Sequence, residues 1–306
     1  MNTFFPTGGG GGGGVSSDFG NGLFGDGCEG AVTIVGVVTL TEEKHYSALT
    51  ISTGANLKVA GNRVFVSGLL TIDSGGSIND DGNSSTSQAG GLLLGARHYL
   101  SAVAGQGGNG VVATSASFSN GGAGSAATSN SKNNLDAFPV GGAGGASSTN
   151  TGGLAGTCTQ VTTNQKWSGR VFDGRWTGGG FGGGSGGGGG ATRIYTHTSG
   201  TWYSGGGGGG GGIVWVAAKT VANSGRISAD GGKGGNAQLA VGDGNCGGGG
   251  GGGGGLATLI TKSQVYGTVT ALGGIGGLAA NSPGGTGTAL NGVNGAVGNS
   301  NVVVLS

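Results

Sequence analysis

Charge is scarce in this chain of 306 residues. Only 8% of them are charged, 13 basic against 12 acidic, for a net charge of +1. No block of like charge occurs, and without clustered Lys and Arg the chain offers no nucleic-acid surface. Disordered chains stay soluble through charge and through Pro, Ser, Lys and Glu. With so little charge, this chain exposed as a coil would associate with something. Long apolar runs are also missing, and none approaches the roughly 20 residues of a membrane span. The opening "MNTFFPTGGG" has neither a basic region nor an apolar core. No secretory signal is therefore expected, and synthesis in the cytoplasm is. Cysteine is rare, with Cys28, Cys158 and Cys246 far apart and no CxxC. This argues against a disulfide framework or a zinc site and points to small buried residues.

What the chain does have is glycine, 85 residues of it. Eight glycines at 205–212 run directly into Ile213-Val214-Trp215-Val216, and 247–255 is glycine throughout. Residues 31–82 differ in character. Short runs rich in Val, Ile and Thr are separated by Gly, Asn, Asp or Ser, the signature of strands and turns. Residues 83–160 are dominated by Ser, Ala, Gly, Thr and Asn, and 161–204 carry most of the large aromatics. The division expected is a glycine-rich attachment segment at 1–30, a strand-rich unit at 31–82, a Gly/Ser/Ala-rich region with an aromatic insert at 83–204, and a C-terminal region at 205–306.

An internal repeat is visible in "RVFVSGLLTIDSGGSINDDG" (63–82), "IVWVAAKTVANSGRISADGG" (213–232) and "LATLITKSQVYGTVTALGG" (256–274). Each has an apolar strand, a polar bend and then a Gly-x-(Ile/Val) step. These steps are Gly76-Ser77-Ile78, Gly225-Arg226-Ile227 and Gly267-Thr268-Val269. The units are unevenly spaced, so a regular solenoid is not expected.

A glycine run has no side-chain core, and ordering it is entropically costly. Backbone hydrogen bonds and close packing must hold it. Polyproline-II geometry turns every three residues and points its N–H and C=O groups outward, so threads without side chains can bond on every side. Interrupted runs such as "TGGGFGGGSGGGGG" (177–190) suit an outer layer. The expected fold is all-β, with β-helix-like rungs, interleaved polyglycine II threads and a strand-rich N-terminal part.

The stretches "LTISTGANLKVAGNRVFVSGLLTIDSGGSINDDG" (49–82) and "GGGGIVWVAAKTVANSGRISADGGKGG" (209–235) resemble glycine-rich virion proteins of tailed bacteriophages, including tail-fibre and fibre-tip adhesins. The resemblance implies a polyglycine sandwich supporting variable loops that touch the host surface, with the 161–204 insert in that role. It implies location in the virion, assembly as a homotrimer, and two kinds of partner: other virion proteins and a host surface glycan or outer-membrane component. A capsid decoration or cement protein, a glycan depolymerase and an ice-binding protein are the alternatives.

Motifs of chemistry are weak. GxGxxG matches many times by composition alone, and "GGKGG" around Lys233 lacks the Ser or Thr of a phosphate-binding loop. Glycan cleavage needs two carboxylates across the scissile bond. Asp80-Asp81 reads as a turn, as do Asp230 and Asp243, and nothing selects a pair. His45, His98 and His197 are scattered, and the calcium-binding repeat does not recur. No enzyme activity, cofactor or metal is expected. Trp167, Trp176, Tyr195, Trp202 and Tyr203 cluster with Arg170, Arg175 and Arg193. These types dominate binding hot spots, so the eight are receptor-contact candidates. The competing reading is that they cap the bundle or fill a subunit interface. Phe4, Phe5 and Pro6 are candidates for attachment to a particle, or pack locally.

Overall fold

The computed structural model describes residues 20–86, 89–91, 102–103, 105–113, 118–124, 128–129, 190, 192–194, 201–239, 244–282 and 288–305. Among these the protein is all-β, with one short helix, α1 (Gly20–Leu23). The strands of the first part are β1 (Ala31–Ile34), β2 (Val37–Thr39), β3 (Lys44–Tyr46), β4 (Ala48–Ile51), β5 (Asn56–Lys58), β6 (Arg63–Ile72) and β7 (Ser77–Asn79). Six short strands follow: β8 (Ala102–Val103), β9 (Val112–Ala113), β10 (Phe118–Ser119), β11 (Thr128–Ser129), β12 (Thr192–Ile194) and β13 (Trp202–Tyr203). The last are β14 (Ile213–Asn223), β15 (Arg226–Ser228), β16 (Gly244–Cys246), β17 (Leu256–Thr261), β18 (Thr268–Thr270), β19 (Ala280–Asn281) and β20 (Asn299–Val304).

Two parallel sheets hold the core. The larger has the order β1-β4-β6-β14-β17-β20, with β3 also against β6. The smaller has the order β18-β15-β7-β5-β2. Because β6 lies directly against β14, residues 31–82 and the C-terminal region share one sheet. In-register pairing stacks like on like. Val38, Leu57, Ile78, Ile227 and Val269 form one row across the smaller sheet. Val64, Val216, Leu259 and Val302 form a row across the larger. Both rows belong to one apolar cluster. β-Branched side chains suit a pleated surface, and full burial stabilises by about 1.5–3 kcal/mol per side chain. The opposite face of the larger sheet carries Phe24, Phe65, Trp215, Ala217 and Ile260 in a second cluster.

The repeat is more regular than its spacing in sequence suggests. Ile213, Leu256 and Asn299 stand side by side on β14, β17 and β20, successive partners 43 residues apart. Residues 83–204 interrupt this rhythm between β7 and β14, which is why the units look uneven.

Each of β14, β17 and β20 is entered from an extended thread, 205–212, 247–255 and 290–298 respectively. Each of β7, β15 and β18 runs out into another, 80–85, 229–237 and 271–279 respectively. The sheets thus continue as two layers of threads. Within the first layer the bonds recur every third residue. The N–H groups of Gly205, Gly208 and Gly211 donate to the C=O groups of Gly247, Gly250 and Gly253. Those of Gly248, Gly251 and Gly254 donate to Leu290, Val293 and Ala296. Between layers, Gly249, Gly252 and Gly255 donate to Gly235, Gly232 and Ala229. A further thread, 105–111, accepts from Gly207 and Gly210 at Gly108 and Gly105.

Burial follows composition thread by thread. The uninterrupted runs 205–212 and 247–255 are buried at every residue. Threads 229–237 and 271–279 have a side chain at every third position, Asp230, Lys233 and Asn236 on one and Leu272, Ile275 and Leu278 on the other, at their outer surface. Thread 290–298 keeps glycine only at Gly292, Gly295 and Gly298 and is otherwise exposed. The cause is steric. A methyl group on Gly208 would overlap the carbonyl oxygen of Gly232, and one on Gly252 that of Gly209.

Candidate functional site

The described residues gather chemically able side chains in three places. The first lies where the sheets pass into the threads. Asp80 is buried, and its Oδ2 accepts from Ile213 N–H at 3.0 Å while its C=O accepts from Gly212 at 2.8 Å. Asp81 Oδ1 accepts from Asp230 N–H at 2.8 Å, and Asp230 Oδ1 from Leu272 N–H at 2.7 Å. Arg226 bridges both carboxylates, at 2.7 Å to Asp81 and 3.4 Å to Asp230. Burial pushes the Asp81 carboxyl above its ordinary range, against the pull of its hydrogen bonds and Arg226. The turn expected at Asp80-Asp81 is therefore a joint. Asp80 holds the backbone N–H where thread 205–212 enters β14, and Asp81 and Asp230 hold those where the chain leaves β15 and β18, a structural task that occupies their oxygens.

The second cluster sits on the outer face of the larger sheet, where sequence reading placed no site. His45 stacks on Phe65 with centroids 4.5 Å apart, and Phe65 meets Trp215 at 5.1 Å. Arg63 lies over both rings, 5.3 Å from Phe65 and 5.9 Å from Trp215. Glu43 bonds Arg63 and His45. Register makes this cluster, since His45 is the cross-strand partner of Phe65 and Arg63 of Trp215. Phe65 and Trp215 are buried, so the arrangement packs the sheet and leaves little ring face for a ligand.

The third cluster lies at the end of the bundle remote from the sheets. There β12 pairs with β10 and β16, and β16 with β19. β13 pairs with β9, and Tyr203 bridges Gln238 through reciprocal backbone bonds of 3.0 and 2.8 Å. Asn281 closes the same end with two bonds to Ala289, 3.2 and 2.6 Å. The described residues that flank 195–200, 240–243 and 283–287 all lie here.

Of the eight receptor-contact candidates, the described residues place three at this end. Tyr203 is half-buried. Arg193 is placed by its backbone, opposite Asn245 and Phe118. Trp202 is a correction: it is 0% exposed and packs with Cys246, Ala237 and Leu239, so it has no face for a receptor. An aromatic that fills a gap under the end strands contributes burial, as any core ring does. Trp167, Arg170, Arg175, Trp176 and Tyr195, and the attachment candidates Phe4, Phe5 and Pro6, lie outside the described residues. The cysteines divide. Cys246 is buried, with its thiol pushed up to about 12 by desolvation. Cys28 is exposed, contrary to the expectation of burial: it bridges Tyr46 just before β1, and its backbone N–H donates to Asp26 Oδ1 at 3.1 Å.

Among the described residues no three His, Cys, Asp or Glu side chains gather as metal ligands would, and no helix is long and apolar enough to cross a membrane. Comparison of the chain with family models, curated proteins and solved structures gives no match.

Proposed function

We propose that this chain is a structural protein of a bacteriophage virion, a tail-fibre or tail-tip component that binds the host cell surface. The observation that carries the reading is the two-ended build. Two stacked parallel sheets form one end, and a hydrogen-bonded bundle of glycine threads holds a rim of chain crossings at the other. A rigid platform with segments leaving one end suits recognition, because binding residues concentrate on loops positioned by a scaffold. The alternation of β4 and β5, β6 and β7, β14 and β15, and β17 and β18 between the two sheets supports a β-helix-like path. The three-residue period of the thread bonds supports polyglycine II geometry.

The partners in this reading are other virion proteins on one side and a host surface glycan or outer-membrane component on the other. The test is labelled-antibody electron microscopy of virions. Label at fibre or tail ends is expected. Label over the shell would replace the adhesin with a capsid cement protein, and unlabelled particles would end both readings. Trp167→Ala and Trp176→Ala are then expected to abolish cell binding while leaving the particle intact.

A further inference from the structure

One face of the bundle is apolar where its architecture does not require it. Leu272, Ile275 and Leu278 stand on thread 271–279, exposed by 52%, 59% and 59%. Leu290, Val293 and Val297 stand on the adjoining thread, exposed by 58%, 58% and 66%. The two threads are neighbours, since Gly292, Gly295 and Gly298 donate to Gly277, Gly274 and Ala271. The equivalent outward positions of thread 229–237 are Asp230, Lys233 and Asn236, so a polar or charged residue fits there equally well. From Ala271 to Ser306 the sequence contains no Asp, Glu, Lys, Arg or His.

The same face carries an open edge. Among the described residues β20 pairs with β17 alone and ends the larger sheet. Edge strands are ordinarily guarded by charge, proline or a bulge. Asn299–Val304 has no charge and no proline, and its pairing with β17 runs without a register shift.

We propose that this face is where a second copy of the chain docks. A strip without charge gives a charged partner nothing to complement, whereas every copy carries Leu272, Ile275 and Leu278 at a three-residue spacing, with Leu290, Val293 and Ala296 at the same spacing on the adjoining thread and the uncharged Asn291 and Asn294 between them. The rows are held in place before binding. Gly231, Gly234 and Ala237 donate into the carbonyls of Leu272, Ile275 and Leu278, so little order has to be gained on association. Residues 290–304 at about 3.1 Å each make a strip roughly 45 Å long. With a width of about 15 Å it offers roughly 700 Å2 per copy, near the ~800 Å2 each partner gives to a standard interface.

The test is the solution mass of the full chain by light scattering on a sizing column, for the wild type, Ile275→Lys/Val293→Lys and Leu272→Asn/Leu278→Asn. The substitutions copy side chains that thread 229–237 already presents outward, and circular dichroism checks that each variant folds. The expected result is a wild-type mass of two or more chains, reduced to one in both double variants, with Lys233→Ala unchanged. Should the lysine pair misfold, the asparagine pair decides alone. A single-chain mass for the wild type overturns the proposal, and so does an assembly that the folded variants leave intact. In the first case the face is covered by the chain's own N-terminal segment or by a different protein.

Discussion

Replacing Gly252 with alanine tests the packing in the interior of the bundle. Gly252 is in the middle of thread 247–255, and a methyl group there meets the carbonyl oxygen of Gly209. To relieve the overlap the threads must part, and three bonds lie in the path. Gly252 donates to Gly232 at 2.9 Å, Gly274 to Gly252 at 2.7 Å, and Gly211 to Gly253 at 2.8 Å. Each buried group left unpaired costs about 1–3 kcal/mol. The lost freedom of the unfolded glycine returns only about 0.4–1 kcal/mol. The net destabilisation is therefore about 2–6 kcal/mol, with partial relaxation of the three bonds. For a chain of this size that lowers Tm by on the order of 10 °C. Lys233→Ala, whose side chain points outward from the next layer, is the control and shifts stability by about 0.5 kcal/mol or less. Thermal unfolding followed by circular dichroism reads both, and amide exchange of 205–212 shows whether the damage spreads to the neighbouring thread. A Gly252→Ala protein as stable as the wild type would refute the claim that interior threads have no room for a side chain.

Trp202→Ala removes a fully buried ring and is expected to cost about 3–5 kcal/mol. A variant of unchanged Tm would show that the end strands do not rest on it. Stability should also depend on pH through Asp81. Its folded-state carboxyl titrates above the ordinary value of 3.8. The unfolded chain therefore releases this proton first, so the Asp81 contribution is present below about pH 3.8 and is lost as pH rises through the folded-state value. The stability of the wild type relative to Asp81→Asn should fall across that window, and a difference that rises or stays flat in urea titrations contradicts the burial of this group. In a Cys158→Ser background a thiol reagent should label Cys28 in the native protein and Cys246 only after unfolding. Labelling of both in the folded chain would place Cys246 outside the core.

Much of this fold was legible where side chains alternate with turns. The aligned steps at Ile78, Ile227 and Val269 are true cross-strand neighbours in the smaller sheet. The strands before them aligned less well. Setting Arg63 against Ile213 misplaces it by two residues, because Arg63 pairs with Trp215 and the register shifts again between Ala218 and Thr220. Turn lengths and bulges leave no trace in an apolar pattern. The joint at Asp80 was hidden for a related reason. Asp beside Gly is the composition of a turn, and only the layout of the threads shows which N–H groups those carboxylates must hold. Trp202 shows the limit of reading sites by residue type. The aromatics that mark a hot spot also fill cores, and neighbours in sequence do not report depth. The stack of His45 on Phe65, with Trp215 diagonal to it on β14, depends wholly on register, which no local signal carries.

The glycine content of each thread has a mechanical consequence. A β-sheet is stiff in its own plane and bends readily out of it, because its cross-links lie in two directions only. Thread 247–255 is tied on four sides, to 205–212, 229–237, 271–279 and 290–298. Such a bundle has no soft axis. A force applied to the rim at one end passes to the sheets as compression or shear of a solid strut.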